Sequence, residues 1–205
     1  MSDDSRARPL RRADLDADPL RQFGLWFEEA RGLVRAPEAA ALATASADGS
    51  PSVRMVLVRR FDADGFVFHT NLESRKGNEL AENPRAALCV YWDPLGRQVR
   101  IEGPVEQVGR SEVEAYFRTR PRGAQLGASA SAQSRVVASR EELDARVDEL
   151  AREYDGRDLP VPDWWGGYRL RAVLYEFWQH RDDRLHDRFR YRREGAAWVV
   201  ERLAP

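Results

Sequence analysis

The residues best equipped for chemistry crowd the end of the chain. Trp178, two of the three histidines (His180 and His186) and arginines at 184, 188, 190, 192 and 193 fall together there. Guanidinium groups are planar, permanently charged forks suited to phosphate or to an anionic ring system. A solvated, salt-bridged hairpin with Asp182, Asp183 and Asp187 as partners is the competing reading of this segment. A second group is His69-Thr70-Asn71 followed by Ser74-Arg75-Lys76 at a predicted helix start, where free backbone N–H groups and the macrodipole favour anions. Of the 33 basic side chains only Lys76 is lysine, so position 76 reads as one that needs a compact ammonium. A capped helix with two exposed basic residues is the alternative.

Arg54 and Arg59 interrupt a Val/Leu/Met run, and arginine there must either pair or bind an anion. Odd spacing puts them on opposite faces of a strand unless a bulge intervenes. A barrel-rim ion pair explains them equally well. Gln98 and Gln133-Ser134 supply amides and a hydroxyl that could read a heteroaromatic edge or cap a phosphate. Tyr116, Arg120 and Arg122, near a predicted helix end, could clamp a second phosphate, although a helix C-terminus favours cations in any case.

These side chains need a frame. Residues 1–17 read as a flexible arm, and residues 18–205 as a single domain. Asp18-Pro19 opens a helix with Phe23, Trp26, Phe27 and Ala30 on its apolar stripe. Strands are predicted over 41–46, 53–61, 66–70, 85–92 and 97–108, joined by turns such as Asp48-Gly49 and Pro94-Leu-Gly96. Ser74 caps a short helix that runs to Asn83-Pro84. Ser111 caps another through Phe117, 123–132 reads as loop or loose helix, 141–154 as a surface helix, and 158–167 as loop. Val173, Tyr175 and Phe177 alternate as the first of the closing strands. The predicted architecture is mainly β with helices, a barrel of six or more antiparallel strands.

Composition narrows the function. The chain has 205 residues, 42% hydrophobic, and a net charge of −1, which gives no global field for nucleic acid. No apolar run reaches a membrane span, and the polar start shows no secretory signal. Cys89 is the one cysteine, and the histidines lack metal-ligand spacing, so neither a disulfide framework nor a catalytic metal is expected. The expected compartment is the cytoplasm.

In order, Arg54-Met-Val-Leu-Val58, Phe68-His-Thr-Asn-Leu-Glu-Ser-Arg-Lys76, Gly96-Arg-Gln98, Tyr116-Phe117 with Arg120-Pro-Arg122, Gln133-Ser134, Trp165-Gly-Gly167, Glu176-Phe-Trp178 and Arg184-Leu-His-Asp-Arg-Phe189 form a pattern running from about residue 10 to Pro205. It resembles the pyridoxine (pyridoxamine) 5′-phosphate oxidase family. The resemblance implies an FMN-binding split β-barrel working as a homodimer, with FMN at the subunit interface. It implies FMN contacts from Arg54, Met55, Val56, Leu57, Val58 and Arg59, from His69 and Thr70, and from Arg75 and Lys76. Gln98, Gln133, Ser134, Trp178 and Arg188 complete that set, the last two from the partner chain. Substrate phosphate maps to Arg59, Tyr116, Arg120 and Ala124, while Arg184, Leu185 and His186 lie against the substrate ring. Arg184 and His186 are the residues closest to catalysis.

The implied reaction moves hydride from the substrate C4′ carbon to the flavin. Pyridoxine phosphate yields the aldehyde, pyridoxamine phosphate yields an imine that water hydrolyses, and oxygen becomes hydrogen peroxide. Arg59, Ala124, His69 and Ser129 replace the lysine, serine, tyrosine and tryptophan frequent in the family. Two other readings remain: a related oxidase of another ring, as in phenazine pathways, and a non-catalytic flavin- or pyridoxal-phosphate-binding protein.

Overall fold

Short alternating segments separated by tight turns fold as antiparallel strands, because each turn returns the chain beside the strand just made. The computed structural model describes residues 8–205, which form nine strands and five α-helices. β1 (Ala39–Ala45), β2 (Pro51–Asp62), β3 (Gly65–Asn71), β4 (Arg85–Trp92), β5 (Arg97–Gln107) and β6 (Trp165–Leu170) pair in the circular order β4-β1-β2-β3-β6-β5, and the β4–β5 ladder closes the barrel. β7 (Leu174–Gln179), β8 (Asp187–Glu194) and β9 (Ala197–Leu203) extend outward from β5. The mainly β, split-barrel expectation matches this architecture.

The split lies along β5. One edge of that strand meets β4, while the other pairs with β7 through Arg97–Glu102 and with β6 through Val105–Gln107. The changeover is at Gly103, where a Cβ would sit 1.9 Å from the Arg171 carbonyl oxygen. Only glycine lets the two backbones approach so closely.

One end of the barrel is plugged by α1 (Pro19–Arg31), which starts at Asp18 as the sequence predicts, with the Asp18 side chain accepting from the Leu20 N–H. Its Phe23 meets Phe61 and Phe66 edge-on at 4.9 and 5.0 Å, and Trp26 meets Phe177 at 5.2 Å. These rings join Leu42, Leu88 and Ile101 in one core. α3 (Arg110–Thr119), α4 (Arg122–Ala130) and α5 (Arg140–Glu153) bury a smaller cluster around Phe117, Leu126 and Trp165 on the barrel's flank. α2 (Arg75–Glu82) sits between β3 and β4 in the chain.

Two local expectations are corrected. Trp165-Gly166-Gly167, assigned to a loop, begins β6. The glycines mark close packing rather than a turn, since a Cβ on Gly166 would lie 2.8 Å from the Leu72 side chain. Ser111 does not cap α3; Gly109 is the N-cap, without a side-chain bond. Of the two alternatives for 123–132, the helix is realised, as α4. Residues 1–7 of the expected arm lie outside the described residues. Farther along it, Leu10 and Leu15 are buried, and Asp16 O accepts from Tyr191 Oη at 2.7 Å.

Gly103→Ala forces a backbone clash and should lower unfolding free energy by about 2 kcal/mol or more. Gly24→Ala, mid-helix with its nearest neighbour Phe61 at an ordinary 3.9 Å, should instead stabilise the fold. Urea denaturation of both variants checks the contrast.

Candidate active site

Ser74 ends the extended chain after β3 and caps α2, its Oγ donating to Asn71 O at 2.6 Å and accepting from the Gly77 N–H. That cap fixes the direction of the next side chains. Lys76 turns back towards the barrel, only 7% exposed. Its ammonium donates to Thr70 Oγ1 at 3.0 Å, Ser74 Oγ at 3.1 Å and Gln133 Oε1 at 2.7 Å. All three acceptors are neutral. Burial, reinforced by the Arg54 charge and partly opposed by Glu79, pulls the Lys76 pKa down to about 8.

Behind this ammonium lies a carboxylate that sequence reading did not single out. Glu79, 5% exposed, accepts from Thr44 Oγ1 at 2.5 Å, Ser52 Oγ at 2.6 Å, Arg54 Nη2 at 3.1 Å and Arg75 Nε at 2.8 Å. Burial alone would raise its pKa, yet the bonds from Ser52, Thr44, Arg75 and Arg54 hold it at about 2. Arg54 is locked further by bonds to Thr44 Oγ1 and Ser52 Oγ. The spacing of Arg75 and Glu79 on one helix face was the available signal. Thr44 and Ser52, from β1 and β2, were not legible at all.

A cleft of about 500 Å³ opens beside Lys76, between β2, β3 and α4. Met55, Leu57 and Arg59 line it from β2, Thr70 and His69 from β3, and Tyr116, Arg120 and Ala124 from the helical flank. Arg54 is turned to the Glu79 network and Arg59 to the cleft, and the β2–β3 ladder shifts register between Val58 and Arg60, so odd spacing alone does not set the face of Arg59. Val58, placed among the cofactor residues, points its side chain into the core and is 6% exposed. A smaller cavity of about 300 Å³ adjoins α2, lined by Arg75, Glu79 and Ser134, with Ser46, Asn78 and the exposed Glu73, Glu82 and Arg135 around it. Residue pairs 75/76 and 133/134 therefore straddle the two spaces.

The far wall of the cleft is aromatic. His69 stacks on Tyr116 at 4.0 Å and on Trp165 at 5.3 Å, with near-parallel planes. Both its ring nitrogens are buried without a partner among the described residues, and burial with the charges of Arg120, Arg59 and Arg60 pushes its pKa to about 4. The ring is neutral at physiological pH. Arg120 lies over the Trp165 ring at 5.0 Å, and its Nη1 has no hydrogen-bond partner among the described residues.

The remaining candidates gather elsewhere, on the β7–β8 extension. Gln98 and Arg188 both stand opposite Trp178 across the ladders. Trp178 packs on His186 at 4.6 Å. The Arg181 N–H donates to His186 Nδ1 at 3.0 Å, so in the neutral ring Nε2 carries the proton. Arg184 adopts φ +64°, and Leu185 beside it is exposed. Arg188 is held by Glu176 at 2.8 Å and by Ala204 O at 2.7 Å. None of these side chains lines the main cleft of the same chain. Next to that cleft, β2 presents Val53, Met55 and Leu57 outward, the first two 68% and 64% exposed. No helix among the described residues is long and apolar enough to cross a membrane.

Comparison with known proteins bears on both halves. Residues 27–152 match the family model described as pyridoxamine 5′-phosphate oxidase, and residues 165–205 match the pyridoxine 5′-phosphate oxidase C-terminal dimerisation region. A pyridoxine/pyridoxamine 5′-phosphate oxidase of Rubrobacter xylanophilus is 55% identical, covering 93% of this chain and 88% of its own length. One of Acaryochloris marina is 50% identical, with 98% and 93% covered. A crystal structure of PhzG from Burkholderia lata in complex with tetrahydrophenazine-1-carboxylic acid has TM-score 0.91 and 36% identity, covering 98% of this chain and all of that one, 100%.

The buried ammonium sets a pH signature for the ligand-free protein. A lysine whose folded pKa is about 8 rather than 10.5 binds fewer protons folded than unfolded between those values, so stability rises with pH across that window. The wild-type-minus-Lys76→Met difference in unfolding free energy should climb by on the order of 3 kcal/mol there. A flat difference curve, measured by denaturation at several pH values, would remove the assignment.

Proposed function

The chain belongs to the pyridoxamine 5′-phosphate oxidase family, and on that premise we propose that it binds FMN beside Lys76 and oxidises pyridoxine and pyridoxamine 5′-phosphates to pyridoxal 5′-phosphate. The observation that carries the cofactor assignment is Lys76 itself, a buried ammonium whose hydrogen-bond partners are all neutral. With Arg54 and Arg75 it gives three cations against the one carboxylate of Glu79. The two positive charges left over match a phosphomonoester, which carries nearly two negative charges at neutral pH. Arg75, Lys76 and Ser134 would hold that phosphate, with Gln133 beside it; Thr70 and the β2 segment Met55–Leu57 would flank the rest of the cofactor.

Bound there, FMN supplies a two-electron acceptor for the substrate's C4′ hydride and hands the electrons to oxygen, giving hydrogen peroxide. The protein's own part is positioning. Arg59, Tyr116 and Arg120 form a second anion site for the substrate phosphate, and the partnerless Arg120 Nη1 is a donor ready for it. Ala124 contributes surface there and no hydrogen bond. Neutral His69 stiffens Tyr116 by stacking and adds no charge.

The site is completed by a second copy of the chain. Support comes from the dimerisation-region match and from the exposed apolar face of β2 beside the cleft, which a partner would cover. In the homodimer the partner subunit's Trp178 and Arg188 close over the cofactor, while its Arg184, Leu185 and His186 meet the substrate ring. His186 then offers Nε2–H as a donor to the substrate's oxygen or nitrogen; it orients the ring rather than withdrawing a proton. Gln98, beside Trp178, would reach the isoalloxazine edge. The proposed setting is the cytoplasm, in keeping with the unpaired Cys89.

The resemblance to PhzG keeps oxidation of a phenazine-type ring as a second reading. Anaerobic mixing of the FMN-loaded protein with pyridoxine 5′-phosphate separates the two: bleaching of the flavin band, then its return with pyridoxal 5′-phosphate on admitting air, is expected. A flavin that stays oxidised would exclude the B6 reaction. Arg120→Ala should raise KM for pyridoxine phosphate roughly 10- to 100-fold, the loss of a charged hydrogen bond, and leave FMN affinity unchanged. Steady-state kinetics and a flavin titration check both halves.

A further inference from the structure

A buried carboxylate is an odd occupant for a phosphate site, because it repels the ligand the site is built for. Glu79 nonetheless sits there, 5% exposed and bonded to side chains from β1, β2 and α2. Its Oε1 takes Arg75 Nε and Ser52 Oγ; its Oε2 takes Arg54 Nη2, Thr44 Oγ1 and Ser52 Oγ. Both oxygens are turned to donors of the protein, so neither is left to face a ligand. Among the described residues Arg75 is held through Nε, and its side chain is 64% exposed, so much of the guanidinium stays open to a ligand.

We propose that Glu79 is a positioning and specificity-determining residue: it aims Arg75, locks Arg54, and trims the charge of the site to that of a phosphomonoester. The inference rests on the reading of this site as the FMN phosphate site. Without Glu79, three cations would face the ligand and repel one another, and Arg75 would swing free on an exposed helix end. With it, Arg54 and Arg75 are each fixed by a charged bond before any ligand arrives, so the ordering cost of binding is already met.

The same carboxylate bears on Lys76. The charged groups acting on that ammonium are Arg54 from β2, which disfavours its charge, and Glu79 from α2, which favours it; Thr70 from β3 and Gln133 after α4 are neutral. Glu73, Glu82 and Arg135 ring the smaller cavity but are exposed and screened. Glu79 therefore extends the pH range over which Lys76 can meet a phosphate dianion.

The test uses the full chain stripped of flavin, titrated by flavin fluorescence with FMN and with riboflavin, which lacks the phosphate, from neutral to alkaline pH. In the wild type, FMN affinity should fall as pH rises through about 8, where the ligand-free Lys76 loses its proton. Glu79→Gln should weaken FMN by about tenfold or more while leaving riboflavin unchanged, and should move that alkaline fall to lower pH. Glu79→Asp keeps the charge but withdraws the carboxylate by one methylene. It should weaken FMN relative to riboflavin with the alkaline fall unmoved, and it carries the test if Glu79→Gln does not fold.

Equal loss of FMN and riboflavin would reduce Glu79 to a structural residue. Unchanged or tighter FMN binding in Glu79→Gln, wild-type FMN binding in Glu79→Asp, or an alkaline fall that stays in place in Glu79→Gln would each overturn the proposal while sparing the cofactor site. A wild-type protein that binds riboflavin and FMN alike would overturn the phosphate-site reading itself, and the proposal with it.

Discussion

An ammonium buried among neutral oxygens is the constraint around which the catalytic half of this protein is arranged. Lys76 has three hydrogen bonds and no carboxylate among them, so its charge is solvated only by dipoles and held up by the more distant Glu79. Such an arrangement is poor for stability and good for anion binding, because the missing counter-charge arrives with the ligand. The local fold exists to maintain it. Ser74 caps α2 and also accepts from Lys76; Thr70, at the end of β3, does the same; Gln133 reaches over from beyond α4. Three separate elements converge on one nitrogen, which is how an exposed helix start becomes a buried site.

A second constraint, the division of β5, sets the β7–β8–β9 sheet apart from the barrel. A strand edge can pair with one neighbour at a time. At Gly103 that edge passes from β7 to β6, so the β7–β8–β9 sheet leaves the barrel and carries Trp178, Arg184, His186 and Arg188 away from the cleft. Within the extension those residues are well ordered by their own contacts, Arg188 by Glu176 and His186 by the Arg181 amide. The exposed apolar edge of β2 is the complementary feature on the cleft side.

Much of this was legible because it depends on local chemistry. The Ser74 cap and the Asp18-Pro19 helix start follow from short-range rules and stand in the structure as expected, whereas β7 buries Tyr175, Glu176 and Phe177 in succession instead of alternating. The singular lysine pointed to its position without any fold. What escaped was decided by packing between distant segments. Trp165-Gly-Gly167 looked like a loop because glycine is a turn residue, whereas here the missing side chains admit Leu72 and its neighbours against the strand. Glu79 was not singled out, because its surroundings come from Thr44 and Ser52, which reach it from two strands of the barrel. That the β7–β8 candidates stay off the cleft of their own chain was likewise invisible to spacing alone.

The two anion sites proposed for the cleft differ in one physical respect that suits them to different uses. The site at Arg59 and Arg120 is charged by guanidinium groups, which do not titrate in the working range of a protein. His69 stands between them and could have introduced a proton-dependent charge, but burial and the surrounding arginines keep it neutral above about pH 4. The other site depends on Lys76, whose charge is conditional near pH 8 until an anion stabilises it. A ligand that remains bound through many turnovers can raise that pKa by its own presence, so a conditional cation is tolerable there. A substrate that must enter and leave at each turnover meets a site whose charge is the same every time. The near-total use of arginine in this chain is therefore compatible with the chemistry everywhere except at the one position where the cation is buried, compact and completed by its ligand.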